Sequence, residues 1–336
     1  MTDYLLTILI LGLLAVIFFF SININKDTEF MGLSYTNAIK AVACVIVVFV
    51  HIPAEHGNAI QDMIGSFAYV GVFCFFMISA YGCRSGIEKN REYLTTFWKK
   101  RLLALLIPVL VLNIFNFICS QAVFGTCSIQ IDRYIYALAI AYFIFWAVWK
   151  MRFVPEKYKD TVIFVVILLG SLVTYFTDYD VFFIWPVECI GFAVGLIIFN
   201  ALDKIKVLLE KRLLRNVAAF GVLSLIIGVL YIKVKPVWFW GGYVVKIFLA
   251  VALLMFVFSI TYRMSIKKNS LLLKLGSISF EVYLVHALVI GYIKKLLPNL
   301  SSGEFIVVVF FVSIVMAIII KKIANQLMQA IKNISK

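Results

Sequence analysis

Long apolar runs recur from one end of the chain to the other, separated by short polar stretches rich in lysine and arginine. A helix that crosses a bilayer needs about 17 to 25 mostly apolar residues. Such runs fall at 4–22, 36–53, 64–83, 102–120, 134–149, 161–177, 184–200, 217–232, 243–262, 277–293 and 304–320. None shows the alternation of a barrel strand, and lipid offers no partner to an unpaired backbone amide, so each is expected to be a helix. The pattern predicts an all-α, polytopic membrane helix bundle of about 11 transmembrane helices. The longest polar stretch, Arg84 to Arg101, reads as a loop or short surface helix. With no internal repeat, low-complexity segment or soluble domain, residues 1–336 are expected to form one integral-membrane domain. The first run is expected to remain as an uncleaved helix, because Met1-Thr2-Asp3-Tyr4 lacks the basic flank of a signal peptide.

Charge placement orients the bundle. With alternating spans, the segments 23–35, 84–101, 150–160, 201–216, 263–276 and 321–336 hold 24 Lys and Arg, whereas the opposite loops hold 5. Cytoplasmic loops carry such an excess, so the N-terminus is expected outside and the C-terminus in the cytoplasm, in a multi-pass protein of the inner or plasma membrane. The composition agrees: 64% hydrophobic residues, 14% charged and a mean hydropathy of +1.04 lie far from soluble-domain averages. The net charge of +14 is then topology plus attraction to anionic lipid, and no nucleic-acid partner is expected.

Polar residues inside spans change the picture. Lys40 and His51 stand eleven residues apart in an otherwise apolar run, Ala38 to Pro53. On a helix that spacing returns to within about 20° of the same face, with a rise of roughly 16 Å. Ionisable groups at such depth are costly and usually line a cavity or pathway. Glu188, at the outer start of its span, is expected near the depth of His51, where a carboxylate on one imidazole nitrogen raises the basicity of the other. Glu55, Asp62, Asp178 and Asp180 are alternatives from outer loops. At the inner rim, Lys40, Arg84 and the Lys99-Lys100-Arg101 cluster suit a phosphate-bearing ligand. Six scattered cysteines and three histidines, with no ligand-like spacing, predict no metal site.

Four segments carry a resemblance to a family. Lys40 and His51 match a basic residue, ten intervening residues and a histidine, with Lys in place of the usual Arg. Gly71-Val72-Phe73-Cys74-Phe75-Phe76-Met77-Ile78-Ser79-Ala80-Tyr81 looks like a Gly-Val, Phe-Phe and Ser-Gly-Tyr run, with Ala80 for the usual Gly. Phe97 to Arg101 with Pro108, and Ser279-Phe280-Glu281-Val282-Tyr283-Leu284-Val285-His286, are similar to the third and fourth signatures. In this order the chain resembles the acyltransferase 3 family of bacterial integral-membrane enzymes, over a core of 34–320, with 1–33 as an extra N-terminal helix and loop.

The resemblance implies a membrane O-acyltransferase of the polysaccharide-modifying, O-acetylating kind. It would move an acyl group from cytoplasmic acetyl-CoA or another acyl-CoA to a hydroxyl of a surface or lipid-linked carbohydrate. Lys40, Arg84 and Arg101 would hold the donor phosphates, and the pantetheine arm would rise towards His51, which acts as general base or as acyl relay. Glu188 would support His51. Ser79, Tyr81 and Tyr283 would be oxyanion donors or packing residues, and His286 a neighbour of the site or a structural bond. The rival reading is a polytopic transporter or flippase whose pathway is lined by Lys40, His51 and Glu188. Fusions test the orientation: a fluorescent protein at the C-terminus should fluoresce and alkaline phosphatase inserted within 121–133 should be active, and the reverse pattern would overturn it.

Overall fold

The computed structural model describes residues 2–24, 29–177 and 185–334. It is 82% helical, and the order of elements is α1 (Thr2–Ser21), β1 (Ile22–Ile24), α2 (Leu33–Val50), α3 (Ala59–Gly65), α4 (Tyr69–Lys89), α5 (Phe97–Phe124), α6 (Arg133–Lys150), α7 (Glu156–Phe176), α8 (Ile190–Asn200), α9 (Leu202–Lys211), α10 (Leu213–Val234), a π-helical turn (Trp240–Val245), α11 (Lys246–Thr261), β2 (Met264–Ile266), α12 (Leu271–Ser277), α13 (Ser279–Leu296) and α14 (Ser302–Ile334). Every expected run overlaps a helix. Among the described residues, seven segments are long and apolar enough to cross a membrane, or eight if the bent pair α12–α13 is one span. α1, α6 and α8 lie outside that set; α8 is only 11 residues long because a turn containing Pro186 precedes it.

The core is aromatic. Phe49, Phe76, Phe97, Phe145 and Phe192 are fully buried in one cluster drawn from α2, α4, α5, α6 and α8. By contrast, Val222, Leu225, Ile226 and Val229 of α10 are exposed, as suits a helix with a face towards lipid tails. α4 packs against both α8 and α2, α13 against α2 and α14, and α10 against α11. Small residues permit the closest of these contacts: a Cβ on Gly195 of α8 would fall 2.2 Å from the Met77 carbonyl oxygen of α4.

Two local features shape the site. α12 and α13 meet at a 71° bend around Ile278. β1 pairs antiparallel with β2, Ile22 opposite Ile266 and Ile24 opposite Met264, and so ties the first helix to the segment after α11. Gly195→Ala is expected to lower stability by about 1–3 kcal/mol through overpacking against backbone. Gly82→Ala, where a Cβ meets nothing within 4 Å, should be neutral or gain up to about 1 kcal/mol; thermal unfolding in detergent reads both, and equal effects would contradict the close approach.

Candidate active site

α2 and α13 run side by side in a parallel register. Cys44 Sγ donates to the Ser279 carbonyl at 3.3 Å, and two helical turns further on the His51 and His286 rings meet with centroids 4.7 Å apart at 71°. Both contacts join residues 235 positions apart, so neither helix slips against the other between them. α2 stops at Val50 because Pro53 disfavours helical backbone at Ile52. His51 therefore occupies the C-cap with an exposed side chain, while His286 is 2% exposed.

The hydrogen bonds assign the tautomers. His51 Nδ1 lies 2.8 Å from the Val47 carbonyl and His286 Nδ1 bonds the Tyr283 carbonyl. A carbonyl only accepts, so in each neutral ring Nδ1 carries the hydrogen and Nε2 keeps a free lone pair. The buried His286 Nε2 has no hydrogen-bond partner. An acceptor left in that state costs about 1–3 kcal/mol, which a donor arriving between the rings would offset.

Behind the imidazoles a series of polar groups continues through the bundle. Tyr283 donates to Asp132 Oδ1 at 2.9 Å, and its ring lies 5.0 Å from that of Tyr134. Tyr134 and Tyr142 both reach the Ser79 hydroxyl. Arg101 sits over the Tyr142 ring at 5.1 Å and donates to the Tyr93 hydroxyl at 2.6 Å. Burial pushes the Tyr93 phenol up, so it accepts this bond as the neutral hydroxyl. Ser79, Tyr283, His286 and Arg101 thus belong to one connected set. Asp132, Tyr134 and Tyr142 join it without having been singled out from the sequence; only the N-cap position of Asp132, whose side chain accepts from Tyr134 N, leaves a readable signal before an apolar run.

Other expected site residues lie elsewhere. Glu188 pairs with Lys246 at 3.1 Å, and Lys246 stands 4.5 Å over the Tyr69 ring; the expected carboxylate–imidazole contact is replaced because that cation is closer at hand. Arg84 is taken by Asp160 at 2.9 Å and Glu88 at 3.1 Å, between the rings of Trp149 and Phe199. Tyr81 packs on Phe199 with centroids 5.5 Å apart, away from the imidazoles. Lys40 faces Glu281 and Lys321, so the three basic residues expected to converge have three different sets of partners. Glu55 is held by Lys294, whose hydrogen bond keeps its carboxyl below the usual range. Asp178 and Asp180 lie outside the described residues.

Two cavities frame this arrangement. One, of about 420 Å³ between α1, α2, α11 and α12, has an almost wholly apolar lining that includes neither Lys40 nor His51. The other, of about 330 Å³, is polar and lies at the His51 end, bordered by Val50 and Ile52 on either side of His51 in the chain and by Gln61, Asp62, Ser66 and Lys235. Among the described residues no group of three or more His, Cys, Asp or Glu side chains could hold a metal ion.

A family model described as an acyltransferase domain matches residues 33–322. No curated protein and no solved structure matches the chain.

The Glu188–Lys246 pair gives a direct test of its separate role. Glu188→Gln should lower stability by about 1–3 kcal/mol by stranding a partly buried ammonium. Adding Lys246→Met should cost less than that change does alone, because the two share one interaction. Strict additivity in thermal unfolding would dissolve the pair.

Proposed function

The chain belongs to the acyltransferase 3 family, and from that premise we propose that it moves an acetyl group from cytoplasmic acetyl-CoA to a hydroxyl of a surface or lipid-linked carbohydrate, with His51 as general base. The observation that carries this reading is the imidazole pair: both Nδ1 atoms are tied to backbone carbonyls, so an Nε2 lone pair remains at the exposed end of the bundle. A hydroxyl of the acceptor donates to His51 Nε2, loses its proton there and attacks the thioester carbonyl. The new C–O bond forms, the C–S bond breaks, and the CoA thiolate takes the proton back from His51 as it leaves.

His286 serves the charged stage. Once His51 is an imidazolium, the neutral His286 ring 4.7 Å away, whose Nε2 lone pair is unpartnered, steadies that charge without taking the proton owed to the leaving thiolate. Ser79 in the connected set is the candidate for steadying the oxyanion, and Tyr283, whose one hydroxyl hydrogen goes to Asp132, would join it only by releasing that bond. The polar cavity bordered by Val50 and Ile52, the chain neighbours of His51, offers the acceptor sugar groups that donate and accept. Lys40, eleven residues before His51, takes the donor phosphates at the cytoplasmic end, so the arm of the donor spans the thickness between them.

Purified protein in detergent, given radiolabelled acetyl-CoA and envelope glycan, tests the reading. His51→Ala should reduce transfer by about 10²–10⁴-fold. His56→Ala, which removes a ring stacked on Phe305 at 4.0 Å, should retain transfer per folded molecule. Equal loss in both variants, or glycan transport without label transfer, would reject the assignment in favour of a structural or transporting role.

A further inference from the structure

Eleven residues before His51 on α2, Lys40 lies within electrostatic range of an ion pair between α13 and α14. Glu281 of α13 is 6% exposed, and its Oε2 is buried with no hydrogen-bond partner. Lys321 of α14 approaches that oxygen at 3.6 Å and donates to the Ser277 carbonyl at the end of α12. Lys40 of α2 lies within electrostatic range of both. At 3.6 Å the Lys321 contact is an ion pair but too long for a hydrogen bond, so the carboxylate leaves both ammonium groups with donors to spare.

The arithmetic of charge is one-sided. Two ammonium groups and one carboxylate leave this partly buried space with an uncompensated positive charge, and like charges so placed repel strongly where water is scarce. Glu281 offsets only part of that repulsion. Lys321 is anchored where a cation is favoured, on the last carbonyl of a helix, yet its side chain remains 30% exposed and reachable. The scaffold beneath is rigid: a Cβ on Gly276 of α12 would fall 2.0 Å from the Asn37 carbonyl oxygen of α2, so α12 is seated directly on the helix that carries Lys40.

We propose that Lys321 and Lys40 form an anion subsite for a phosphate group of the acyl-CoA donor, with Glu281 as the counter-charge that keeps the two ammonium groups together when the subsite is empty. The inference rests on the acyl-CoA reading above and adds a residue to it. Where a single arginine would grip phosphate with a planar fork, two lysine point charges from different helices converge on it.

The test compares two donors. Acetyl-CoA carries phosphates and acetyl-pantetheine carries none. Lys321→Gln, one bond shorter but uncharged and still an N–H donor, should raise the KM for acetyl-CoA by about tenfold to a hundredfold with kcat nearly unchanged. It should leave acetyl-pantetheine kinetics as in the unmodified protein, and Lys321→Arg should restore the acetyl-CoA KM. An equal loss with both donors, or no change with either, overturns the subsite while leaving the transferase reading intact. Failure of the unmodified protein to transfer from either donor overturns that reading and the subsite with it.

Discussion

The parallel seating of α13 on α2 is the constraint on which the rest depends. Two contacts at matching heights, a thiol on a carbonyl and an imidazole against an imidazole, fix both rotation and translation of the pair. Apolar side chains alone would tolerate a slip, since lipid tails and leucines are equally good company. The directional contacts would not. The bend at Ile278 then lets α12 turn aside and press its glycine on the base of α2, so that one helix carries a cationic group at one end and a basic nitrogen at the other, each facing a fixed neighbour.

Polar groups inside the bundle are arranged in pairs and short chains, with few exceptions. Arg84 with Asp160, Lys246 with Glu188 and Tyr283 with Asp132 are satisfied internally, as the absence of water at membrane depth demands. Among the described residues His286 Nε2 and Glu281 Oε2 are buried acceptors without hydrogen-bond partners, as are Gln61 Oε1 and the second oxygen of Asp160. Of these, the His286 and Glu281 atoms are the two that lie beside an imidazole and an ammonium group, where a ligand or a proton can complete the set.

Apolar run length made the helices readable, although the second run was carried through Pro53 whereas α2 ends at Val50. The family could be read because four weak signatures fall in order. Pairing could not. Glu188 and His51 were expected to meet because both sit near the same depth, but depth says nothing about azimuth, and Lys246 occupies the azimuth that Glu188 faces. Glu281 stands five residues, or about 140°, from His286 and so faces away from the imidazoles; that rotation aims it at Lys321, a partner forty residues away that no local periodicity announces. Asp132 was hidden for the same reason, its partner Tyr283 being 151 residues distant.

The small β1–β2 ladder has a consequence for how the molecule is made. α1 lies ahead of the matched region, yet it is sewn in at both ends: β1 at its exit pairs with residues 264–266, and Thr7 near its start accepts hydrogen bonds from Asn58 and Gln61. It also packs on α14 and α12. β1 and its partner strand are more than two hundred residues apart in the chain, so this flank of α1 closes only after that length has been made, as a late event in assembly.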